Sequence, residues 1–363
     1  MASSFGERLR VSIFGESHGA GIGALIEGLP AGESVDFDQM MRFMERRQGG
    51  RNALSTARKD PDIPEFVSGI LNGKTNGFPV CIRIANTNTR SGDYNNLAMN
   101  PRPSHADYPA FVKWHGAADM RGGGHFSGRL TAPLCAAGGI AKQILERHQI
   151  YVGAHLFSIG SVLDDPFPMR PEPVLFDAVA QKKLPVISDE KGILMQEEVL
   201  AAREALDSVG GSIECMVTGL PAGLGDPMFD GMENRLARVL FGIPAVKGLE
   251  FGDGFALSEM RGSQANDPFC TDSDGNIVTE TNRNGGILGG ITTGMPVRFR
   301  VGIKPTPSIA LPQKTVSLPE GRETVLEIKG RHDPCIAQRA VPVIEAAAAL
   351  TVLDVLLCDG SVL

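Results

Sequence analysis

Two stretches decide the fold: residues 340–357, AVPVIEAAAALTVLDVLL, and residues 131–147, TAPLCAAGGIAKQILER. Glu345 and Asp354 interrupt the first stretch, so it predicts a buried helix rather than a membrane span. The second stretch is rich in alanine and has little polarity, which predicts a helix buried on most sides. Helices of this kind need cover from other elements.

Strands and helices surround these stretches without the regular alternation of a doubly wound sheet. We predict a strand at 10–14, a glycine-rich turn from Gly15 to Gly23, and a helix capped by Asp36. Further predicted elements are an amphipathic helix at 195–207 and strands at 78–85, 211–218, 248–252, 296–303 and 323–329. Neither a linker nor a repeat divides the chain, so we expect a single α+β domain over residues 1–363 with buried central helices.

Composition sets limits on the function. The chain has 363 residues, of which 42% are hydrophobic and 21% charged, the balance of a globular protein. A net charge of −7 argues against nucleic acid as a partner. An anion site on such a chain must be a local basic pocket. The 44 glycines and 24 prolines cluster between apolar segments, which favours a fold with many functional loops.

The cysteines and the N-terminus predict a cytoplasmic protein. Six cysteines are scattered without a CxxC pair, which argues against a metal site and against a disulfide framework. Several lie in apolar runs, as buried thiols of a reducing compartment do. The first residues, MASSFGER, lack the apolar core of a signal peptide, so we expect neither secretion nor a membrane partner.

Six loop segments carry the chemistry. His18 lies in the glycine-rich turn, where small neighbours leave its ring uncovered, although an incidental histidine in a tight turn is the plainer alternative. The other segments are the basic run Arg46, Arg47, Arg51, Arg58 and Lys59, then 102–108 with His105, 121–129, 285–294 leading to 304–308, and 330–335. A basic run alone is more often a solvated helix end. Together the segments predict a pocket for a multiply anionic ligand.

The order and spacing of six motifs resemble the chorismate synthase family. They are GESHG at 15–19, RPSHAD at 102–107, DSVGG at 207–211, AVKG at 245–248, KPTPS at 304–308 and GRHDPC at 330–335. The resemblance implies a single-domain β-α-β sandwich, with helices between two antiparallel sheets, assembled as a homotetramer. It also implies a lyase that uses reduced FMN to remove phosphate from 5-enolpyruvylshikimate 3-phosphate by anti-1,4-elimination, giving chorismate.

The resemblance assigns roles to individual residues. His18 matches the histidine at the leaving phosphate, His105 the histidine that protonates the reduced flavin, and Asp333 the aspartate that works with the flavin in removing the C6 proton. The positions similar to flavin contacts are His125, Phe126, Ser127, Gly289, Lys304, Pro305, Thr306, Pro307, Ser308 and Arg331. The positions similar to substrate or NADP contacts are Arg46, Arg47, Arg51 and Arg129.

Three positions depart from the family pattern. His125 begins a segment where many relatives have an arginine, Ser104 replaces the usual glycine before His105, and Ala53 stands where an arginine is common. None of these changes removes a predicted catalytic residue.

Two other functions stay open. One is a flavin oxidoreductase with net hydride transfer, although residues 19–23 lack the spacing of a dinucleotide-binding fingerprint. The other is a non-catalytic module that binds FMN or an anion. The sequence also leaves open whether NADPH reduces the flavin on this chain or a separate flavin reductase does so.

Overall fold

The computed structural model describes residues 3–50, 61–87, 99–318, 320–328 and 333–360. Its helices are Phe37–Glu45 (α1), Asp107–Lys113 (α2), Thr131–Arg147 (α3), Pro173–Gln181 (α4), Asp189–Glu204 (α5), Met232–Leu240 (α6), Gly262–Ala265 (α7) and Ala337–Asp359 (α8). Short 3-10 turns at Arg121–Phe126 and Gly128–Leu130 lead into α3.

The strands are short and pair in antiparallel fashion. In chain order they are Ser4–Phe5 (β1), Arg10–Gly15 (β2), Gly21–Glu27 (β3), Pro64–Ser68 (β4), Ile70–Leu71 (β5), Lys74–Thr75 (β6), Val80–Ala85 (β7), Tyr151–Ile159 (β8), Val162–Leu163 (β9), Gly211–Thr218 (β10), Val246–Phe251 (β11), Phe269–Thr271 (β12), Ile277–Thr279 (β13), Ile287–Leu288 (β14), Ile291–Thr292 (β15), Val297–Ile303 (β16), Gln313–Ser317 (β17) and Arg322–Leu326 (β18).

Two five-stranded sheets enclose the central helices. Their strand orders are β1-β2-β3-β7-β4 and β11-β16-β10-β8-β9. Helix α3 contacts β3 and β7 of the first sheet, α8 contacts β8 and β10 of the second, and the two helices pack on each other. The predicted α+β sandwich, with helices between two antiparallel sheets, is therefore confirmed. The single-domain organisation stays a prediction, although one cluster of buried apolar side chains draws from both sheets.

Alternating side chains fix the inner face of the second sheet. In β16, Val297, Phe299, Val301 and Ile303 are buried, while the residues between them are only partly so. Phe299 lies opposite Cys215 of β10, and both are fully buried. This alternation is the period of a strand whose apolar face packs on helices.

Helix α8 is long and apolar enough to cross a membrane by composition, but 89% of its most apolar window is buried inside the protein. It is therefore the core helix that the sequence predicted, and it extends at both ends beyond residues 340–357. Helix α3 begins and ends at the predicted residues, and the Asp36 side chain accepts a hydrogen bond from the Gln39 amide at 2.9 Å, as a cap does.

Several boundaries differ from the prediction. Strand β3 begins at Gly21, so the predicted turn from Gly15 to Gly23 is shorter than expected. Helix α5 begins at Asp189 rather than at 195, because Ser188 caps it. The sequence prediction also missed β8 and the helices α2, α4 and α6. Nearly every residue of β8 is buried, so it lacks the polar alternation that identifies a strand.

A buried histidine lies on the outer face of the second sheet. The imidazole of His155 is placed between the carboxylates of Asp164 and Glu214, with each ring nitrogen 3.1 Å from an oxygen. Burial alone would lower the pKa of His155, but the two carboxylates raise it above its ordinary value of 6.5. The folded state therefore holds a proton here that the unfolded chain releases more easily.

We expect this proton to make stability fall as the pH rises. A raised pKa gives stabilisation that is complete below pH 6.5 and is lost as the pH passes through the folded-state pKa. In denaturant titrations above pH 6.5, the slope from this one proton is at most about 1.4 kcal/mol per pH unit. The His155→Gln variant should lose that slope, whereas His148→Gln should keep it. Equal slopes in wild type and His155→Gln would disprove the assignment.

Candidate active site

Two predicted histidines flank one glycine loop. The residues Gly122, Gly123 and Gly124 all have positive φ, which only glycine adopts without strain. A Cβ on Gly122 would lie 2.1 Å from the ring of His18, and a Cβ on Gly123 would lie 3.5 Å from Nε2 of His105. The rings of His18 and His105 therefore lie against adjacent residues of the same loop, with only the loop backbone between them.

The His18 loop is attached to the glycine loop by its backbone. The amide of Ser17 donates to the carbonyl of Gly124 at 3.1 Å. The side-chain amide of Asn86 donates to the carbonyls of Glu16 and Gly19, both at 2.9 Å. His18 itself is buried. Its position is thus fixed from both sides of the turn.

Two arginines share one buried aspartate beside this loop. Arg47 and Arg129 each donate to a different oxygen of Asp62, and all three side chains are buried. Burial alone would raise the pKa of Asp62, yet the two guanidinium groups hold it below the usual range. Arg129 also donates to Asn86 at 3.0 Å, which links the arginine pair to the His18 loop.

A third arginine connects this pair to Asp333. The guanidinium of Arg339, near the start of α8, donates to a carboxylate oxygen of Asp333 and to the backbone carbonyl of Arg47, the latter at 2.8 Å. The carbonyl of Pro334 in turn accepts from Val209 at 2.9 Å. Asp333 therefore lies at the same end of the molecule as Arg47 and Arg129.

The segment 304–308 closes the network next to His105. Arg102 donates to the hydroxyl of Ser308 at 3.4 Å, and Ser208 donates to the carbonyl of Thr306 at 2.7 Å. Burial and the neighbouring charge of Lys247 lower the pKa of Lys304. Lys247 therefore lies close enough to Lys304 for the two charges to interact.

Four predicted site residues have partners within the protein, and one of them, Arg46, turns away from this network. Both terminal nitrogens of Arg46 donate to Glu345 of α8, so Arg46 faces the helical core instead of the site. The ring nitrogens of His125 bond to the carbonyl of Gly15 and the hydroxyl of Ser3, both at 2.8 Å. Phe126 packs on Trp114, and Ser127 accepts from the amide of Arg129.

The remaining predicted residues divide into two groups. Gly289 lies at the turn between β14 and β15. Its neighbour Gly290 packs on Asp226 and Gly231. Arg51 and Arg331 lie outside the described residues, as does Ala53. The usual glycine before His105 has a structural reason, because Ser104 adopts a φ of 58°, in the left-handed region.

Sequence reasoning missed five members of the network. Asp62, Asn86, Arg102, Asp107 and Arg339 were not predicted as site residues, although Arg102 and Asp107 belong to the motif at 102–107. Arg102 and Asp107 lie within five residues of each other around His105, and that spacing is a usable signal. Asp62 and Asn86 have no motif, and only the fold brings them to the arginines.

The ion pairs of this network comprise four arginines and three aspartates, whose charges sum to +1 in a chain with a net charge of −7. The arginines are 47, 102, 129 and 339, and the aspartates are 62, 107 and 333. Two histidines, a residue type that can exchange protons near neutral pH, lie within the same network. A sandwich fold with this site defines an enzyme that acts on a small, multiply anionic molecule.

Comparisons with known proteins identify the enzyme. A family model described as chorismate synthase matches residues 9–357. Chorismate synthases of Thermococcus kodakarensis and Pyrococcus abyssi are 48% and 45% identical to this chain, in each case over 97% of both proteins. A crystal structure of chorismate synthase is similar with a TM-score of 0.77 and 27% identity, covering 98% of this chain and 93% of the other. The chain belongs to the chorismate synthase family, whose members are phosphate lyases of the shikimate pathway and use reduced FMN.

The glycine loop gives a direct test of the geometry. We expect Gly122→Ala to lower turnover about 100-fold, because the new methyl group must push the His18 ring or the loop by an ångström or more. The positive φ of 60° adds a backbone cost of about 1 kcal/mol. Steady-state turnover and thermal unfolding measure the two effects. Gly262→Ala is the control, since its Cβ meets nothing within 4 Å. Normal turnover of Gly122→Ala would show that the loop does not position His18.

Proposed function

We propose that this chain removes phosphate from 5-enolpyruvylshikimate 3-phosphate to form chorismate, with His18, His105 and Asp333 handling charge and protons. One observation carries the proposal: His18 and His105 contact adjacent glycines of one loop. The same network reaches Asp333 through Arg339 and Arg47. The reaction needs a cationic group at the departing phosphate and a base for the C6 proton, and these residues supply both kinds of group.

His18 acts at the leaving group. As a cation it offsets the charge that grows on the phosphate as the carbon–oxygen bond breaks. Asn86 bonds both to the loop of His18 and to Arg129. We assign Arg129 and its neighbour Arg47 to the substrate's anionic groups. Arginine suits this role because its planar fork matches phosphate and carboxylate oxygens. Arg51 stays a proposal for the same role. We leave Arg46 out, because its guanidinium is bound to Glu345.

The residues of segment 304–308 fit reduced FMN. The hydroxyl of Thr306 is buried and has no hydrogen-bond partner among the described residues, so it is available to a polar ligand. Lys304 and Lys247 supply positive charge for a phosphate group. Held by this segment, reduced FMN would supply electron density to the substrate while phosphate leaves. We also propose flavin contacts by Gly289, by His125–Ser127 and by Arg331, the last of which lies outside the described residues.

His105 and Asp333 handle protons. His105 takes up and releases a proton at Nε2 on the side of the cofactor, and this nitrogen faces the glycine loop. Asp333 takes part in accepting the C6 proton of the substrate. The ion pair with Arg339 keeps its carboxylate in one orientation until then.

We further propose that the chain forms a homotetramer in the cytoplasm. The exposed aromatic side chains of Phe229, Phe255 and Phe269 are apolar surface that a subunit interface would cover. All six cysteines are free, which suits a reducing compartment. NADPH is a candidate reductant of the flavin, and a separate flavin reductase is the alternative.

Substitution of the three proposed groups tests the function. His18→Ala, His105→Ala and Asp333→Asn should each lower kcat by about 10²–10⁴, the usual contribution of a positioned acid or base. Substrate affinity should change much less, because the arginines provide most ground-state charge recognition. Anaerobic single-turnover assays with reduced FMN already present exclude flavin reduction as the slow step. His148→Ala, a histidine at the far end of α3, is the matched control. Near-normal turnover of all three variants would refute the assignment.

Replacement of Arg47 tests the division between substrate and flavin binding. Arg47→Ala should raise the substrate KM by about 10–100-fold, which corresponds to the loss of one charge-assisted hydrogen bond of about 1.5–3 kcal/mol. The Kd of FMN should change by less than about threefold on the same argument. Arg42→Ala, an exposed arginine of the same helix, should change neither. Equal weakening of substrate and flavin binding would contradict this division.

A further inference from the structure

We propose that Asp107, held by Arg102, is the positioning residue that sets the tautomer of His105. The inference rests on the proposed role of His105 and adds the group that directs its reactive nitrogen. The carboxylate of Asp107 is bonded to His105 and to Arg102, and it acts through these two side chains.

The contact between Asp107 and His105 fixes one proton. Nδ1 of His105 lies 2.6 Å from Oδ1 of Asp107. A terminal nitrogen of Arg102 also lies 3.0 Å from Nδ1, and a guanidinium can only donate, so the two contacts favour opposite tautomers. The contact with Oδ1 is the shorter one, and an ionised carboxylate only accepts, so we assign the hydrogen to Nδ1. In the neutral imidazole, Nε2 is then the nitrogen with the lone pair, and it is the atom that takes up and releases a proton. The hydrogen stays on Nδ1 of His105 only while the carboxylate of Asp107 keeps its orientation.

Arg102 holds that carboxylate by three hydrogen bonds. Its Nε donates to Oδ2 at 2.7 Å, its terminal nitrogen donates to Oδ1 at 2.8 Å, and its backbone amide donates to Oδ2 at 3.0 Å. Both side chains are buried, with about 7% of each exposed or less. Burial works against ionisation of Asp107, but the bonds from Arg102 and His105 keep its pKa well below the usual range.

The other ring nitrogen faces the proposed reaction site. Nε2 of His105 lies 3.5 Å from the position of a Cβ on Gly123, and His18 touches the neighbouring glycine. The same Arg102 that holds Asp107 also donates to Ser308, in the proposed flavin segment. The Arg102–Asp107 pair therefore joins the His105 loop to that segment and turns Nε2 toward the space between them.

The hydrogen-bond pattern predicts the effect of the Asp107→Asn substitution. Two donors of Arg102 converge on the position of Oδ2, so the oxygen of the new amide should take that place. The NH₂ group of the amide would then replace Oδ1 and donate to Nδ1 of His105, and the hydrogen bond from the terminal nitrogen of Arg102 to Oδ1 would be lost. Nδ1 would have to accept, and the hydrogen would move to Nε2. The substitution thus reverses the tautomer with almost no change in shape, as the same exchange does in an Asp–His pair of other enzymes.

The experiment reads the tautomer and the rate separately. ¹⁵N NMR of the histidine rings in the FMN-free enzyme should show hydrogen on Nδ1 of His105 in wild type and on Nε2 in Asp107→Asn, with His105→Ala identifying the signal. With reduced FMN, kcat of Asp107→Asn should fall about 10²–10³-fold while the substrate KM changes by less than about threefold. Asp107→Glu keeps the carboxylate, so it should keep the wild-type tautomer and more of the rate.

A matched control separates positioning from stability. His155 and Asp164 form another buried histidine–aspartate pair, on the outer face of the second sheet, so Asp164→Asn should lower stability but keep kcat per folded molecule. The proposal is overturned if Asp107→Asn keeps the wild-type tautomer, or if it keeps kcat per folded molecule. A further outcome concerns the function itself: if His105→Ala has normal turnover, the proposed role of His105 fails, whatever tautomer is found.

Discussion

The close packing of α3 on α8 is the contact on which the rest of the fold depends. A Cβ on Gly138 would lie 2.3 Å from the Cβ of Ala346, so the two backbones meet with almost no side chain between them. Small residues make this approach possible, and the alanines of α8 continue it. Besides packing on each other, α3 contacts the first sheet and α8 the second. A single closely packed layer of helices therefore fills the space between the sheets.

The same packing brings both helix starts to the active site. Gly138 of α3 contacts Ala346 of α8. Thr131 and Arg339, which lie equally far before them along each helix, both bond to Arg47, so the helices run parallel. Arg47 bridges their first turns, since its guanidinium donates to Thr131 at 3.3 Å and its carbonyl accepts from Arg339. The positive ends of two helix dipoles therefore point the same way, toward the proposed anion site. A local electropositive field arises in this way on a protein that is acidic overall.

The sequence predicts more of the core than of the site. Alanine-rich composition identifies α3 and α8, and the loop motifs identify His18, His105 and Asp333 as candidates. Arg46 and Arg47 could not be separated, because neighbouring residues on a helix point about 100° apart and only packing decides which one faces inward. Arg46 meets Glu345 in the core, and Arg47 meets Asp62 at the site. Asp62 lies in none of the six sequence motifs, so no local sequence pattern identifies it.

Asp62 compensates the charge of the arginine pair, Arg47 and Arg129, while no substrate is bound. Buried guanidinium groups without a counter-charge destabilise a fold strongly, and one carboxylate shared by Arg47 and Arg129 removes most of that cost. A single aspartate leaves one positive charge in excess, which attracts the substrate without binding it so tightly that the reaction gains nothing. The charge on the phosphate increases as its bond to carbon breaks, and the excess positive charge interacts most strongly at that stage. In the function that we propose, Arg47, Arg129 and Asp62 thus favour the transition state over the bound substrate, which is the condition for a higher rate.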